Sequence, residues 1–317
     1  VIRRVTLPGT AISVSGLCLG TADLGTKIDE STSLLQMHAF LRRGGNFFDT
    51  AHAYAAWANA TGISERILGK FAREVGRREV VVATKGGHVG FPGYPRPDAF
   101  CTPETIQSDI AESLDRLQMD YVDLYYLHRD DPRVPVAELM DALAEQVAKG
   151  RARAIAASNW ALDRLAEANA YADGNALPRF VAIQNQWSLA EPNFEIGGPG
   201  TVRTMRRSDL PALRADGVAA IPWAPNANGF FGTNGAKGKD TYGSEEGFRR
   251  LDRTQRLAAK RKQDPGAIAL AYLIDDAPVI PITGSTSEKT LDEAVCALEL
   301  ELTEAEKRYL ESGVGEP

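Results

Sequence analysis

A closed barrel of eight parallel strands alternating with helices, preceded by a β-hairpin, is the fold this sequence predicts. Three observations carry the expectation. Eight short, β-rich apolar runs recur along 317 residues, segments with helical spacing separate them, and the runs are apolar rather than alternating. Strand and helix in alternation imply a parallel sheet. Eight strands close a (β/α)8 barrel, an α/β fold of about 250 residues or more with insertions. Helices outside and packed side chains inside bury both faces of each strand, which removes the alternation.

The elements follow in chain order. "IRRVTLPGTAISVS" (2–15) reads as a hairpin turning at Pro8-Gly9 that caps the barrel floor. The eight runs are "LCLGTA" (17–22), "NFFDT" (46–50), "VVVATK" (80–85), "YVDLYYLH" (121–128), "ARAIAASN" (152–159), "FVAIQNQ" (180–186), "GVAAIPWAP" (217–225) and "PVIPITGS" (278–285). Between them, "STSLLQMHAFLRRGG" opens on Ser31 and closes on Gly44-Gly45. "TPETIQSDIAESLDRLQ" offers Thr102 as N-cap and Pro103 at the first helical position. "VPVAELMDALAEQVAKG" ends on a lysine and Gly150, a common helix stop. The whole of 1–317 reads as one barrel domain, with mouth loops at about 86–102, 187–206 and 226–248. An open doubly wound sheet would want a Gly-x-Gly-x-x-Gly turn after an early strand, and the sequence has none.

Composition narrows the function classes. Hydrophobic residues make up 44% and charged residues 25%, with a formal net charge of -6. Such a chain has no basic field for nucleic acid or an anionic membrane. Clusters such as "RTMRRSD" (203–209) read as solvated helix faces. Cys18, Cys101 and Cys296 are odd in number and lack CxxC spacing, which points to a reducing compartment rather than a disulfide or zinc framework. There is no signal-peptide pattern and no apolar run near 18 residues, so a cytoplasmic location is expected. Oligomeric state is open at this level.

In such barrels the chemistry sits at the C-terminal ends of the strands. The second run ends in Asp49, with Tyr54 just beyond; the third ends in Lys85 and the fourth in His128. Singly, each has a plain structural role: a helix cap, a rim aromatic, a snorkelling lysine, a loop histidine. Neighbouring strand ends lying side by side would instead bring an acid, a phenol, an amine and an imidazole to one spot. That set suits proton donation to a carbonyl. A free phenol, with a pKa of about 10, is a poor acid near neutrality. An adjacent ammonium is expected to lower that pKa, a carboxylate to hold the ammonium, and the imidazole to orient the carbonyl oxygen. The histidines His38, His52, His88 and His128 form no pair with metal-ligand spacing, so no metal is expected. The other half of the reaction then calls for a hydride donor.

The segments "FFDTAHAY", "ATKGG", "VDLYYLHRDDP", "RAIAASNW", "QNQWSL", "IPWAPN" and "VIPITGSTSEKTLDEA" occur in an order that resembles the aldo-keto reductases over essentially the whole chain. The resemblance implies a catalytic tetrad of Asp49, Tyr54, Lys85 and His128, with Tyr54 as general acid. It implies that Ser158, Asn159 and Gln184 bind a nicotinamide carboxamide and that Trp223, unless it is a core aromatic, lies against the nicotinamide face. Gly284, Ser285, Thr286 and Ser287 lead into a helix, a favourable place for a phosphate. Many NADPH-using relatives carry cations and an asparagine where this chain has Gly284, Thr290 and Ala294, leaving Lys289 as the nearby cation. NADPH is the cofactor the family implies, with NADH or dual use as the alternative. Glu293 matches a position near the adenine edge.

"NANGFFGTNGAKGKDTYGSEEG" (226–247) has six glycines and reads as a mobile segment. By resemblance it folds over the cofactor pyrophosphate with Gly229, Phe230 and Gly232 at its near end. On the substrate side, Trp57, His88, Phe91, Tyr94, Trp187 and Phe194 are expected to shape a pocket for a small-molecule carbonyl, plausibly sugar-derived and so within carbohydrate metabolism. Arg129 either binds an anionic or polyhydroxylated group or pairs with Asp130 or Asp131. Two rivals remain: a nicotinamide-binding regulatory subunit with little turnover, as in the likeness to potassium-channel beta subunits, and a metal-dependent barrel hydrolase using Asp49, His52 and His128.

Overall fold

A computed structural model describes residues 1–196, 201–274, 278–284 and 287–317. Two short strands, β1 (Arg4–Thr6) and β2 (Ser13–Ser15), pair antiparallel around a turn in which Gly9 takes a φ of +67°. Eight parallel strands follow: β3 (Cys18–Gly20), β4 (Phe47–Asp49), β5 (Val81–Gly86), β6 (Val122–Leu127), β7 (Ala152–Ser158), β8 (Phe180–Gln184), β9 (Ala219–Ala220) and β10 (Ile282–Thr283). They run in the order β10-β3-β4-β5-β6-β7-β8-β9. The ring closes where Ala220 N donates to Pro278 O (3.0 Å), Ile280 N to Ala220 O (2.8 Å) and Ile282 N to Pro222 O (2.9 Å). The expected eight-stranded barrel and its hairpin are therefore both present.

Helices lie between and beyond the strands: α1 (Glu30–Arg42), α2 (Ile63–Val75), α3 (Pro103–Leu117), α4 (Val136–Ala148), α5 (Leu162–Gly174), α6 (Leu210–Ala215), α7 (Lys239–Tyr242), α8 (Glu245–Arg261), α9 (Pro265–Ala271), α10 (Glu288–Ala297) and α11 (Glu304–Ser312). Thr102 caps α3 with Pro103 in its first turn, as the sequence predicts. The start of α1 differs. Asp29, not Ser31, is its cap, accepting from Thr32 N at 2.7 Å while Ser31 Oγ donates to the same carboxylate at 2.9 Å. A carboxylate accepts from the free N–H groups as a hydroxyl would, and its charge adds a favourable interaction with the positive end of the helix. Among the described residues no helix is long and apolar enough to cross a membrane.

Two apolar layers explain the unbroken runs. Inside the barrel, Phe47, Val81, Leu124, Tyr126, Ile221 and Ile280 meet Leu7, Ile12 and Val14 of the hairpin, which plugs the floor. Outside, Phe48, Val82, Tyr125, Leu127 and Ile155 pack against the helices. Successive side chains such as Phe47 and Phe48 point to opposite faces, and both faces are buried. Asn46 ties the plug down: its Oδ1 accepts from Ser15 N (2.6 Å) and its Nδ2 donates to Ser13 O (3.1 Å). With the floor sealed, only the opposite end of the barrel is left to open on solvent.

Candidate active site

Strand register sets the site. Asp49 in β4 aligns with Ala83 in β5, two residues short of Lys85. Lys85 aligns with Tyr126 in β6, two residues short of His128. Because side-chain direction has a period of two, all three point inward, yet each stands one inward-facing position higher than the last. The neighbouring strand ends lie side by side, as expected, and are staggered. They climb a diagonal, as the tilt and stagger of a closed barrel require. Tyr54 lies beyond β4, in a turn where Tyr54 N donates to Ala51 O (3.1 Å) and Ala55 takes a φ of +66°.

Lys85 is the hub. Its Nζ donates to Asp49 Oδ2 at 2.5 Å, Thr50 O at 2.8 Å and Tyr54 OH at 3.1 Å, and the residue is wholly buried. Asp49 Oδ1 also accepts from Gln184 Nε2 at 3.0 Å, so both carboxylate oxygens are held. The Tyr54 and His128 rings lie edge to face, 6.0 Å between centroids. Thr50 carried no sequence signal, because its carbonyl, not its side chain, holds the ammonium.

Electrostatics refine the expectation for Tyr54. Lys85 does pull its pKa down, but burial is the larger effect and Asp49 opposes the pull, so the phenol stands above its ordinary value. Tyr54 is thus a protonated donor at neutral pH, not a partly ionised acid. Burial works against the Lys85 charge, but Asp49 and Tyr54 together outweigh it and the ammonium is held above its usual range. Burial pushes His128 well below its usual value, with His88, Arg129 and Lys85 adding to the effect. His128 is therefore a neutral imidazole, and its buried Nδ1 has no hydrogen-bond partner.

The next strand ends gather amides and a hydroxyl. Ser158 Oγ donates to Gln184 O (2.9 Å), and Asn159 Nδ2 donates to Ser158 Oγ (3.0 Å) and His128 O (3.1 Å). Asn159 sits at φ +59° and its Oδ1 accepts from Trp223 Nε1 at 3.3 Å. Asn185, absent from the residues expected by sequence, clamps this turn by bonding both N (3.2 Å) and O (2.8 Å) of Trp160. The run of three amides in "QNQ" was the available signal, since adjacent buried amides need partners. Trp223 is half-buried, with its base on the barrel's interior core, so core packing and an exposed face coexist. Mixed donors and acceptors beside a flat aromatic face are what a carboxamide-bearing ring requires, and these residues fit a nicotinamide.

A model of the aldo/keto reductase family matches residues 16–313. The chain belongs to that family. It is 32% identical to the uncharacterized oxidoreductase YrpG of Bacillus subtilis (strain 168), an alignment covering 95% of this chain and 92% of that protein. It is 30% identical to norsolorinic acid reductase A of Aspergillus parasiticus (98% and 80% covered) and 29% identical to probable aldo-keto reductase 1 of Glycine max (98% and 88% covered). As a member of this family, the protein is an NAD(P)H-dependent oxidoreductase.

Elsewhere in this aldo/keto reductase the expectations meet the structure unevenly. Ser285 and Thr286 lie outside the described residues. Gly284 is exposed, and Ser287 caps α10, accepting from Thr290 N at 3.3 Å. Lys289 pairs with Glu293 at 3.7 Å, and burial followed by nearby Asp264 raises the Glu293 carboxyl. The mouth loop expected at 226–248 carries short helical turns and buried aromatic anchors. A 3-10 turn spans Ala227–Gly229, α7 follows, and Phe230 and Phe231 are buried in the outer core. Burying two phenylalanines is worth about 1.5–3 kcal/mol each, which offsets the conformational freedom of the glycines. The Phe230 side chain thus faces the core, leaving only its backbone for a cofactor. Gly232 runs against Gly266, near the start of α9.

On the substrate side, Trp57 is 51% exposed and meets Tyr54 edge to face at 6.0 Å. His88 meets His128 at 4.6 Å and is held neutral, its pKa lowered to about 4 by burial and then by Arg129. Phe91 stacks on Tyr94, and Gly93, at φ +87°, lets this loop press on the Ala56 carbonyl beside the Tyr54 turn. Trp187 does not join them. It is 3% exposed in the outer core, edge to face with Tyr272 at 6.3 Å, where burial of the indole is more favourable than rim exposure. A cavity of about 1190 Å³ beside Trp187 lies on this flank, lined by residues such as Met205 and Arg250 and by none of the tetrad. Its neighbourhood does not hold the chemistry. His52 is also committed elsewhere, to Tyr94 OH (2.6 Å) and Glu112 Oε2 (2.9 Å).

Proposed function

We propose that this protein reduces an aldehyde or ketone, with sugar-derived carbonyls in its range, to the alcohol, with Tyr54 as the general acid. The observation that carries the reading is the buried Lys85 ammonium, bonded at once to Asp49 and to the Tyr54 hydroxyl at the open end of the barrel. Ser158, Asn159 and Gln184 would hold the carboxamide and Trp223 would cover the ring of a reduced nicotinamide, which would supply hydride to the carbonyl carbon. Tyr54 gives its proton to the carbonyl oxygen, and Lys85 stabilises the phenolate left behind. Asp49 keeps the ammonium aimed at Tyr54, and neutral His128 orients the carbonyl without competing as a proton source. The relatives named as norsolorinic acid reductases support carbonyl reduction.

NADPH is proposed as the preferred cofactor on the family likeness. Gly284, Ser285, Thr286 and Ser287 would take phosphate, Gly229, Gly232 and the Phe230 backbone would approach the pyrophosphate, and Glu293 would lie near the adenine. Lys289 is already engaged with Glu293, so NADH is proposed to serve as well. Trp57, His88 and Arg129 would line the substrate site. A cytoplasmic location accords with three free cysteines, two of them buried.

The test is loss of reduced-nicotinamide absorbance with NADPH and NADH in parallel, against aromatic aldehydes, aldoses and dialdehydes. Turnover falling about 100-fold or more in Tyr54→Phe, with cofactor affinity kept, is the expected outcome. A variant keeping more than about a tenth of kcat would remove Tyr54 as the acid. Tight cofactor binding without turnover across the panel would favour the regulatory reading.

A further inference from the structure

Arg129 follows His128 directly, and its surroundings are unusual for a partly buried cation. Its Nη1 donates to His128 O at 2.9 Å, while its buried Nε makes no hydrogen bond. Neither adjacent carboxylate serves it. Asp130 pairs with Arg164 at 2.8 Å, and Asp131 pairs with Arg133 at 2.8 Å. Among the described residues no carboxylate forms an ion pair with Arg129. The groups that feel its charge are Tyr54, His88 and His128, all neutral in the resting molecule. A cation partly withdrawn from water without a counter-ion is held at a cost in free energy, and an anionic group on a ligand would offset it.

The cofactor phosphates, bound as proposed above, would not meet that need. Around the ring, β6 stands four strands from β10, so Arg129 lies across the mouth from the turn proposed to take phosphate. It stands instead beside the tetrad, where its charge acts on Tyr54, His88 and His128, in the region proposed to take the substrate.

Resting on the reductase reading, we infer that Arg129 is a specificity-determining residue that selects carbonyl substrates carrying an anionic group, a carboxylate or a phosphate monoester. A guanidinium offers charge-assisted hydrogen bonds to either, and in a partly dehydrated mouth these are stronger than at the surface. The anion anchors one end of the substrate while Tyr54 and His128 receive the carbonyl at the other.

The experiment compares the three formylbenzoate isomers with their methyl esters, and glyceraldehyde 3-phosphate with glyceraldehyde, in the full-length holoenzyme. In the wild type, kcat/KM should favour at least one anion over its uncharged counterpart by about tenfold or more, carried by KM, and the preference should shrink in high salt. Arg129→Gln should bring the ratio near one, and Arg129→Lys should keep part of it. Preference in the benzoate series alone or the phosphate series alone supports the inference and names the anion. No preference in either series, or a preference that survives Arg129→Gln in a variant with an unchanged melting temperature, overturns it. Calorimetric binding of hydroxymethylbenzoates against their methyl esters runs alongside. Should no aldehyde turn over, the reductase reading fails, while carboxylate-selective binding that is lost in Arg129→Gln still upholds the anion site. Equal binding of acid and ester overturns it.

Discussion

Lys85 Nζ lies 2.5 Å from Asp49 Oδ2 inside the barrel, an ion pair with both partners buried. The same nitrogen reaches Tyr54 OH at 3.1 Å, so the pair serves a proton donor and does more than neutralise itself.

Asp49→Asn tests that coupling. Removing one partner leaves the Lys85 charge buried without compensation, at a cost of about 3–5 kcal/mol of stability. Urea unfolding should show that loss, and kcat should fall together with it. Lys85→Met removes the other partner and should cost turnover more than cofactor affinity, as measured by titration of bound nucleotide. Full turnover in either variant would detach the pair from the chemistry.

The pH dependence of turnover should be flat where histidines ordinarily titrate. His128 is held neutral well below its usual value, so no change is expected on crossing pH of about 6.5. Tyr54 must be protonated to donate, and its pKa stands above 10. Activity is therefore kept below that value and lost as pH rises through it. A profile of kcat from pH 5 to the alkaline limit checks this, and an acid limb near pH of about 6.5 would contradict the neutral imidazole.

Stability should fall on the acid side for the same reason. The folded state holds His88 at about 4, below its ordinary value of 6.5, so the unfolded chain binds the extra proton first. Stability from this group is complete above 6.5 and is lost as pH falls toward 4. Denaturant midpoints across that window should drop, and His88→Gln should flatten the slope.

Two tryptophans should separate cleanly. Trp187→Ala empties a site in the outer core and should cost about 3–5 kcal/mol. Trp57 is half exposed beside Tyr54, so Trp57→Ala should cost under about 1 kcal/mol while raising KM for aromatic aldehydes. Thermal unfolding and steady-state kinetics on both variants check the contrast.

The hairpin plug is structural. Leu7→Ala should destabilise the barrel by about 2–5 kcal/mol. At temperatures where it stays folded its kcat should match the wild type, because the plug lies at the end opposite the tetrad. A matching loss of kcat at full folding would show that the floor reaches the site.

Much of this molecule was legible in one dimension because its signals are local. An apolar run with both faces buried, a Thr-Pro helix start and a Lys-Gly helix stop each depend on a few neighbours, so the eight strands stood out, and with them Asp49, Tyr54, Lys85 and His128 at adjacent strand ends, side chains that the structure brings together. Direction and accounting are not local. Whether Trp187 faces the mouth or the core depends on which surface is nearer when the chain closes. That Phe230 and Phe231 anchor a glycine-rich stretch in the outer core was not legible from its composition. The pKa of Tyr54 turned on burial outweighing Lys85, a balance of two opposing energies set by depth in the barrel. Arg129 is the clearest case: the sequence put Asp130 and Asp131 beside it, and only the tertiary structure gave those carboxylates to Arg164 and Arg133. Residue type and order specify which groups can meet; ion pairing and desolvation are decided by the distances that folding leaves between them.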